Sequence, residues 1–130
     1  MAKVIGHLNS SHYKTEISNG SNSLIADEPE SVGGTNLGFS PNDLLCSALV
    51  ACTCITLRMY ADRKQWDLEI VETNVFLEKT EGENSTTFVR EIQLYGKLDL
   101  SQKKRLMEIA QQCPVHKILS NSIKINTVAK

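Results

Sequence analysis

The stretch Ser40-Pro-Asn-Asp-Leu-Leu-Cys46-Ser-Ala-Leu-Val-Ala-Cys52-Thr-Cys54-Ile-Thr-Leu-Arg58-Met-Tyr-Ala-Asp-Arg-Lys64 decides the fold. It opens like a helix, with a Ser N-cap, Pro at the first helical position and an acid, Asp43, three residues after the cap. The helix is expected to reach about Lys64, roughly 34 Å at the usual rise. Its uncharged run, Leu44 to Leu57, is 14 residues long. A bilayer core needs about 20, so the run reads as a core helix and not a membrane span. Leu44, Leu45, Ala48, Leu49, Val50, Ala51, Ile55 and Leu57 leave no polar face before Arg58, so the helix should be surrounded by protein. A single chain of 130 residues has an expected radius of gyration of about 14 Å, too little to cover such a helix on every side. A dimer would supply the missing cover. Arg58, Asp62, Arg63 and Lys64 read as a solvated, mainly cationic helix end that suits the dipole.

The segments on either side are β-like. Lys3 to Leu8, His12 to Ile17 and Ser23 to Ala26 precede the helix, and Asn19-Gly20 between the last two is a hairpin signal. Asp27 to Phe39 is a turn-rich loop of Pro, Glu, Ser, Gly and Asn. After Trp66, the β-branched runs Leu68–Lys79 and Thr86–Leu98 flank a polar turn from Thr80 to Ser85, which predicts an antiparallel hairpin with one face on the core. Ser101 is expected to cap a second helix, Gln102 to about Gln112, with Leu106, Ile109 and Ala110 on one stripe. Cys113-Pro114 interrupts it, a short helix from Pro114 to Leu119 follows, and Ser122–Val128 is expected as a closing strand. Segregated β and α blocks indicate an α+β fold in one domain, residues 1–130.

Composition narrows the function. Lys plus Arg number 14 against 15 Asp plus Glu, so no single-sign field points to nucleic acid or an anionic membrane. Aromatic residues make up 5%, too few for a base-stacking platform. The N-terminus shows no secretory pattern. A reducing cytoplasm is therefore the expected compartment, where cysteines are more often free, metal-bound or catalytic than structural.

The four cysteines are Cys46, Cys52, Cys54 and Cys113. On a helix Cys52 and Cys54 point about 200° apart, and Cys46 diverges from Cys52 as well, so the three act separately. Only Cys113 can be folded against one of them. As N-cap of the short helix, Cys113 would have a lowered pKa; equally, it would serve as a small apolar plug. His116, three residues on, is a base, a ligand or an exposed first-turn side chain. Cys52-x-Cys54 with Cys113-x-x-His116 contains zinc-type ligands, but an uninterrupted helix splays the first pair, and no metal or other cofactor is expected. Gly33-Gly-Thr-Asn-Leu-Gly38 fits neither phosphate-binding glycine motif and reads as a turn-rich lid.

Pro41-Asn-Asp-Leu, Val50-Ala-Cys52 and Cys113-Pro-Val-His occur in the order and setting of the OsmC/Ohr family, which the chain resembles over most of its length. Members are thiol-dependent organic hydroperoxide reductases. The resemblance implies an OsmC-like fold: an antiparallel sheet with a long buried central helix, in an intertwined homodimer. It selects Cys52 as the peroxidatic thiol and Cys113 as the resolving one, which condenses with the Cys52 sulfenic acid to a disulfide that an external dithiol reduces.

The chain departs from the family in its charged partners. The family has a Glu ten residues before the peroxidatic cysteine that orients an activating Arg from the N-terminal strands. Here Asn42 stands at that place, with Asp43 next to it, and the first Arg is Arg58. Asn42 and Asp43 become pocket polar groups, and Lys14, His12 or Lys3 the substitute cation, with Lys14 taken as the candidate although Lys lacks the planar fork of Arg. The expected function is a cytoplasmic homodimeric thiol peroxidase acting on organic hydroperoxides through Cys52 and Cys113, with no nucleic acid or membrane partner. The alternatives are a non-catalytic OsmC-fold dimer that binds a small apolar ligand, and a thiol protein of other redox function. Cys46 and Cys54 are expected as core filler.

Overall fold

A computed structural model describes residues 2–79, 82 and 84–130. The chain divides into two units, residues 1–45 and 46–130. In the first, β1 (Ile5–His7), β2 (Thr15–Ser18) and β3 (Ser23–Ala26) form an antiparallel sheet in that order. The β2–β3 hairpin turns at Asn19-Gly20 as the dipeptide predicts. Gly20 has φ 96°, and the Asn19 side chain accepts from the amides of Ser21 at 2.9 Å and Asn22 at 2.7 Å. The loop that follows is pinned by Asp27, whose carboxylate is almost fully buried. It accepts from the Tyr13, Glu28 and Leu37 amides and from the Thr35 hydroxyl. Gly38 lies so close to β3 that a Cβ there would sit 1.9 Å from the Ile25 carbonyl oxygen, a position only glycine can fill.

Helix α1 (Pro41–Lys64) begins as its sequence predicts. The Asp43 amide donates to Ser40 Oγ at 3.1 Å and the Ser40 amide to the Asp43 carboxylate at 3.1 Å, a reciprocal capping box. With 24 residues and a mean hydropathy of 1.7 in its best window, α1 is long and apolar enough to cross a bilayer by length and composition, a property core helices share. Its buried side is narrower than the sequence suggests: Leu49, Thr53, Leu57 and Ala61, each four apart, form one stripe. Ile55 and Met59 are more than half exposed, so a single chain covers one side of the helix only.

In the second unit, β4 (Asp67–Lys79) and β5 (Thr86–Lys97) pair antiparallel; the turn expected over Thr80–Ser85 falls largely outside the described residues. A bulge between Leu68 and Ile70 shifts the register. Beyond it Val71 faces Leu94, Thr73 faces Ile92, Val75 faces Arg90 and Leu77 faces Phe88. Arg58, expected in solvent, is partly exposed and also donates to the Leu68 and Glu69 carbonyl oxygens at the bulge, at 2.5 and 2.9 Å. Leu57, Ala61, Leu68, Leu106, Ile109 and Ala110 make the core, with Tyr60, Trp66 and Leu98 around it.

Helix α2 (Leu100–Ala110) starts earlier than its sequence suggests. Asp99 and not Ser101 is the cap, because its carboxylate takes the Gln102 amide at 2.8 Å while the Gln102 side chain takes the Asp99 amide. The Ser101 hydroxyl only supports that carboxylate. Helix α3 (Pro114–Leu119) has the expected bounds and cap. The closing strand over Ser122–Val128 does not form. A strand needs a hydrogen-bonded neighbour, and among the described residues this segment has none; Ile125 and Val128 are over 80% exposed.

Candidate active site

Cys52 and Cys113 come together in the second unit. Cys52 rides on α1, half-buried, between the exposed Ala51 and the fully buried Thr53. Cys113 closes the junction of α2 and α3 with no exposed surface, held by Pro114 at the first helical position. All four cysteines are free thiols. Cys54 turns to β4, its thiol 3.4 Å from Thr73 Oγ1 and 3.9 Å from the Val71 carbonyl oxygen. The splay of Cys52 and Cys54 inferred from helix geometry is thus observed, and no group of three or more His, Cys, Asp or Glu side chains among the described residues is placed to hold a metal.

The two thiols are electrostatically distinct. Burial alone would raise the Cys52 pKa, but hydrogen bonds from the Cys113 thiol, the Val115 amide and the Thr56 hydroxyl, with the charge of Arg90, bring it below the ordinary thiol value. Cys113 moves the other way. Its burial and its contact with Cys52 outweigh the cap amides and raise its pKa, which corrects the lowered value expected from the N-cap position. Of the two, Cys52 is therefore the thiol that ionises more readily, with the Cys113 thiol as a donor toward it.

The cation at this site is Arg90 on β5. Its Nη1 donates to Thr53 Oγ1 at 3.0 Å, and its Nη2 lies 3.1 Å from His116 Nδ1. Thr53 in turn donates to the Leu49 carbonyl oxygen at 2.6 Å, so its buried hydroxyl has both a donor and an acceptor partner. His116, with its pKa lowered by burial and then by Arg90, also donates its backbone amide to Cys113 Sγ at 3.4 Å. A search for cations before the helix misses Arg90. The signal lay in the period of β5, where Phe88, Arg90, Ile92 and Leu94 share the half-buried phase and Glu91 and Gln93 are exposed. A lone Arg on a core-facing phase needs an acceptor.

The residues expected around the pocket belong to the first unit. Lys14, just before β2, lies 3.9 Å from Glu16 with both side chains substantially exposed. Asp43 closes the capping box, and Asn42 is an exposed first-turn residue. In the second unit a cavity of about 290 Å³ adjoins Arg90 and His116, lined on its apolar side by Leu49, Phe88 and Leu119.

The model of the family described as OsmC-like protein matches residues 34–128. No curated protein matches the chain. Among solved structures, an OsmC-like protein from Mycoplasma pneumoniae is 18% identical with a TM-score of 0.77, covering 92% of this chain and 86% of that one. An organic hydroperoxide resistance protein OsmC from Legionella pneumophila is 20% identical, TM-score 0.68, covering 92% and 89%. The organic hydroperoxide resistance protein OhrB of Bacillus subtilis is 22% identical, TM-score 0.63, covering 92% and 90%. These likenesses match the α+β arrangement of antiparallel sheets and a long helix.

Proposed function

The chain belongs to the OsmC-like family, and from that premise we propose that it is a thiol-dependent peroxidase of organic hydroperoxides. The observation that carries the reading is the pairing of a half-buried, thiolate-favouring Cys52 with a buried, protonated Cys113. The Cys52 thiolate attacks the outer oxygen of ROOH and the O–O bond breaks. RO⁻ leaves and takes a proton to become the alcohol, and Cys52 becomes a sulfenic acid. The Cys113 thiol then condenses with it; water is released and a Cys52–Cys113 disulfide forms, which an external dithiol reduces by exchange. Leu49, Phe88 and Leu119 suit an apolar R group.

The same reading holds the protein to be a cytoplasmic homodimer. The apolar side of α1 left open by one chain, and the unpaired β-like tail with Ile123, Ile125 and Val128 exposed, favour a second copy as cover. Lys14, Asn42 and Asp43 stay proposed pocket groups that such an assembly would bring into use. No nucleic acid, membrane or cofactor enters this scheme.

Intact mass and peptide mapping after one equivalent of cumene hydroperoxide test it. The expected result is a loss of two hydrogens located to Cys52 and Cys113, with turnover under a dithiol that vanishes in Cys52→Ser. Undiminished turnover in that variant would sink the reading.

A further inference from the structure

Arg90 is held at two points, and the two holders sit on opposite sides of the reaction. Thr53 is the chain neighbour of Cys52 on α1, and His116 belongs to the helix that Cys113 caps. A guanidinium has donors only, so where its Nη2 meets His116 at 3.1 Å the imidazole Nδ1 is the acceptor. The proton of the neutral ring is therefore on Nε2. His116 is itself fixed by its backbone: its amide donates to Cys113 Sγ, and its carbonyl oxygen accepts from the Ser120 hydroxyl.

We infer that His116 is a positioning residue: as a neutral Nδ1 acceptor it locks the Arg90 guanidinium beside Cys52 and ties that lock to the segment carrying Cys113. The inference rests on Cys52 being the working thiol. The Arg90 fork spans Thr53 and His116, so without the His116 acceptor one arm of the fork is free, and the guanidinium can rotate toward the cavity it lines and away from the sulfur. The charge that favours the thiolate then weakens with distance. The titratable and charged groups of the cluster are Arg90 on β5, Cys52 on α1, and Cys113 and His116 at the start of α3. Proton uptake by His116 puts a second cation against Arg90 and removes the acceptor, so acid opens the lock.

The readout is the pH profile of Cys52 alkylation in the reduced protein, with iodoacetamide as probe and peptide mass mapping to separate Cys52 from Cys46, Cys54 and Cys113. His116→Leu should move the Cys52 midpoint upward and slow its alkylation at pH 7 by about tenfold, the effect of one pKa unit, while Cys46 and Cys54 keep their rates. His116→Asn, whose Oδ1 takes the place of Nδ1 and does not titrate, should restore the Cys52 rate. An unmoved Cys52 profile in His116→Leu, or equal impairment in both variants, overturns the inference. Hydroperoxide turnover is measured separately. A wild-type protein that consumes no hydroperoxide but whose Cys52 midpoint still follows His116 keeps the lock and loses the peroxidase reading; intact turnover with an unmoved midpoint does the reverse.

Discussion

Arg90 donates to Thr53 Oγ1 at 3.0 Å, and Thr53 directly follows Cys52 in the chain. The charge of a strand residue 37 positions away is thereby delivered to the helix turn that bears the thiol. Thr53 has no exposed surface, so its end of this partly buried hydrogen bond is shielded from water. Thr53→Val keeps the shape and removes the acceptor. It should destabilise the protein by about 1 kcal/mol in urea unfolding and raise the Cys52 midpoint in the same direction as His116→Leu.

Cys113→Ser separates the two chemical steps. Its hydroxyl cannot form the disulfide, so Cys52 should halt as a sulfenic acid after one equivalent of hydroperoxide and pass to the sulfinic form with excess. Intact mass gains of one and then two oxygens are the readout.

Leu57 is fully buried at the centre of the α1 stripe, whereas Ile55, two residues before it, is more than half exposed in the single chain. Leu57→Ala should cost about 2 to 5 kcal/mol, read from the denaturant midpoint at constant slope. In a dilute monomer Ile55→Ala should cost under about 0.5 kcal/mol. A larger penalty for Ile55→Ala that grows with protein concentration reports a second copy on that face.

Asp27 sets an acid limit on the first unit. Burial would raise its carboxyl pKa, but the Thr35 hydroxyl and the Glu28, Leu37 and Tyr13 amides hold it far below the ordinary carboxylate range. A depressed folded pKa contributes stability that is present above the unfolded value, about 3.9, and is lost as the pH falls through the folded one. Amide exchange at Glu28 and Leu37 should therefore quicken relative to the β2–β3 hairpin below about pH 4. Asp27→Asn should show fast exchange at neutral pH and little further change in acid.

Local signals carried most of what the sequence disclosed. The Ser40–Asp43 box and the Cys113-Pro114 cap are complete within four residues, so both helix starts are legible. Asp99 displaced Ser101 because two residues on either side of Leu100 both qualify as caps, and the one whose partner at the third helical position closes the box wins. The Ser122–Val128 pattern records a wish for a neighbour that one chain does not supply. Pairing Cys52 with Cys113 came from the family motifs; spacing alone left three candidates for the couple. The bond between Arg90 and His116 went unread because it spans 26 residues and exists only once β5 lies against α3.

The bulge at Leu68 and Ile70 works as a frame correction in β4. Side chains in a strand alternate with period two, so one extra residue would invert everything downstream unless a bulge absorbs it. Before the bulge Leu68 is buried at an even position; after it the inward places are odd, Val71, Thr73, Val75 and Leu77. Arg58 grips both carbonyls at that point and fixes where the inversion occurs. Deleting Glu69 would therefore not shorten a loop. It would join Leu68 directly to Ile70, whose partners Gly96 and Tyr95 are already neighbours, so Val71, Thr73, Val75 and Leu77 would keep their faces. What would go is one of the two carbonyl oxygens that Arg58 holds, so the surplus residue is a fastening point between the helix that bears Cys52 and the hairpin that bears Arg90.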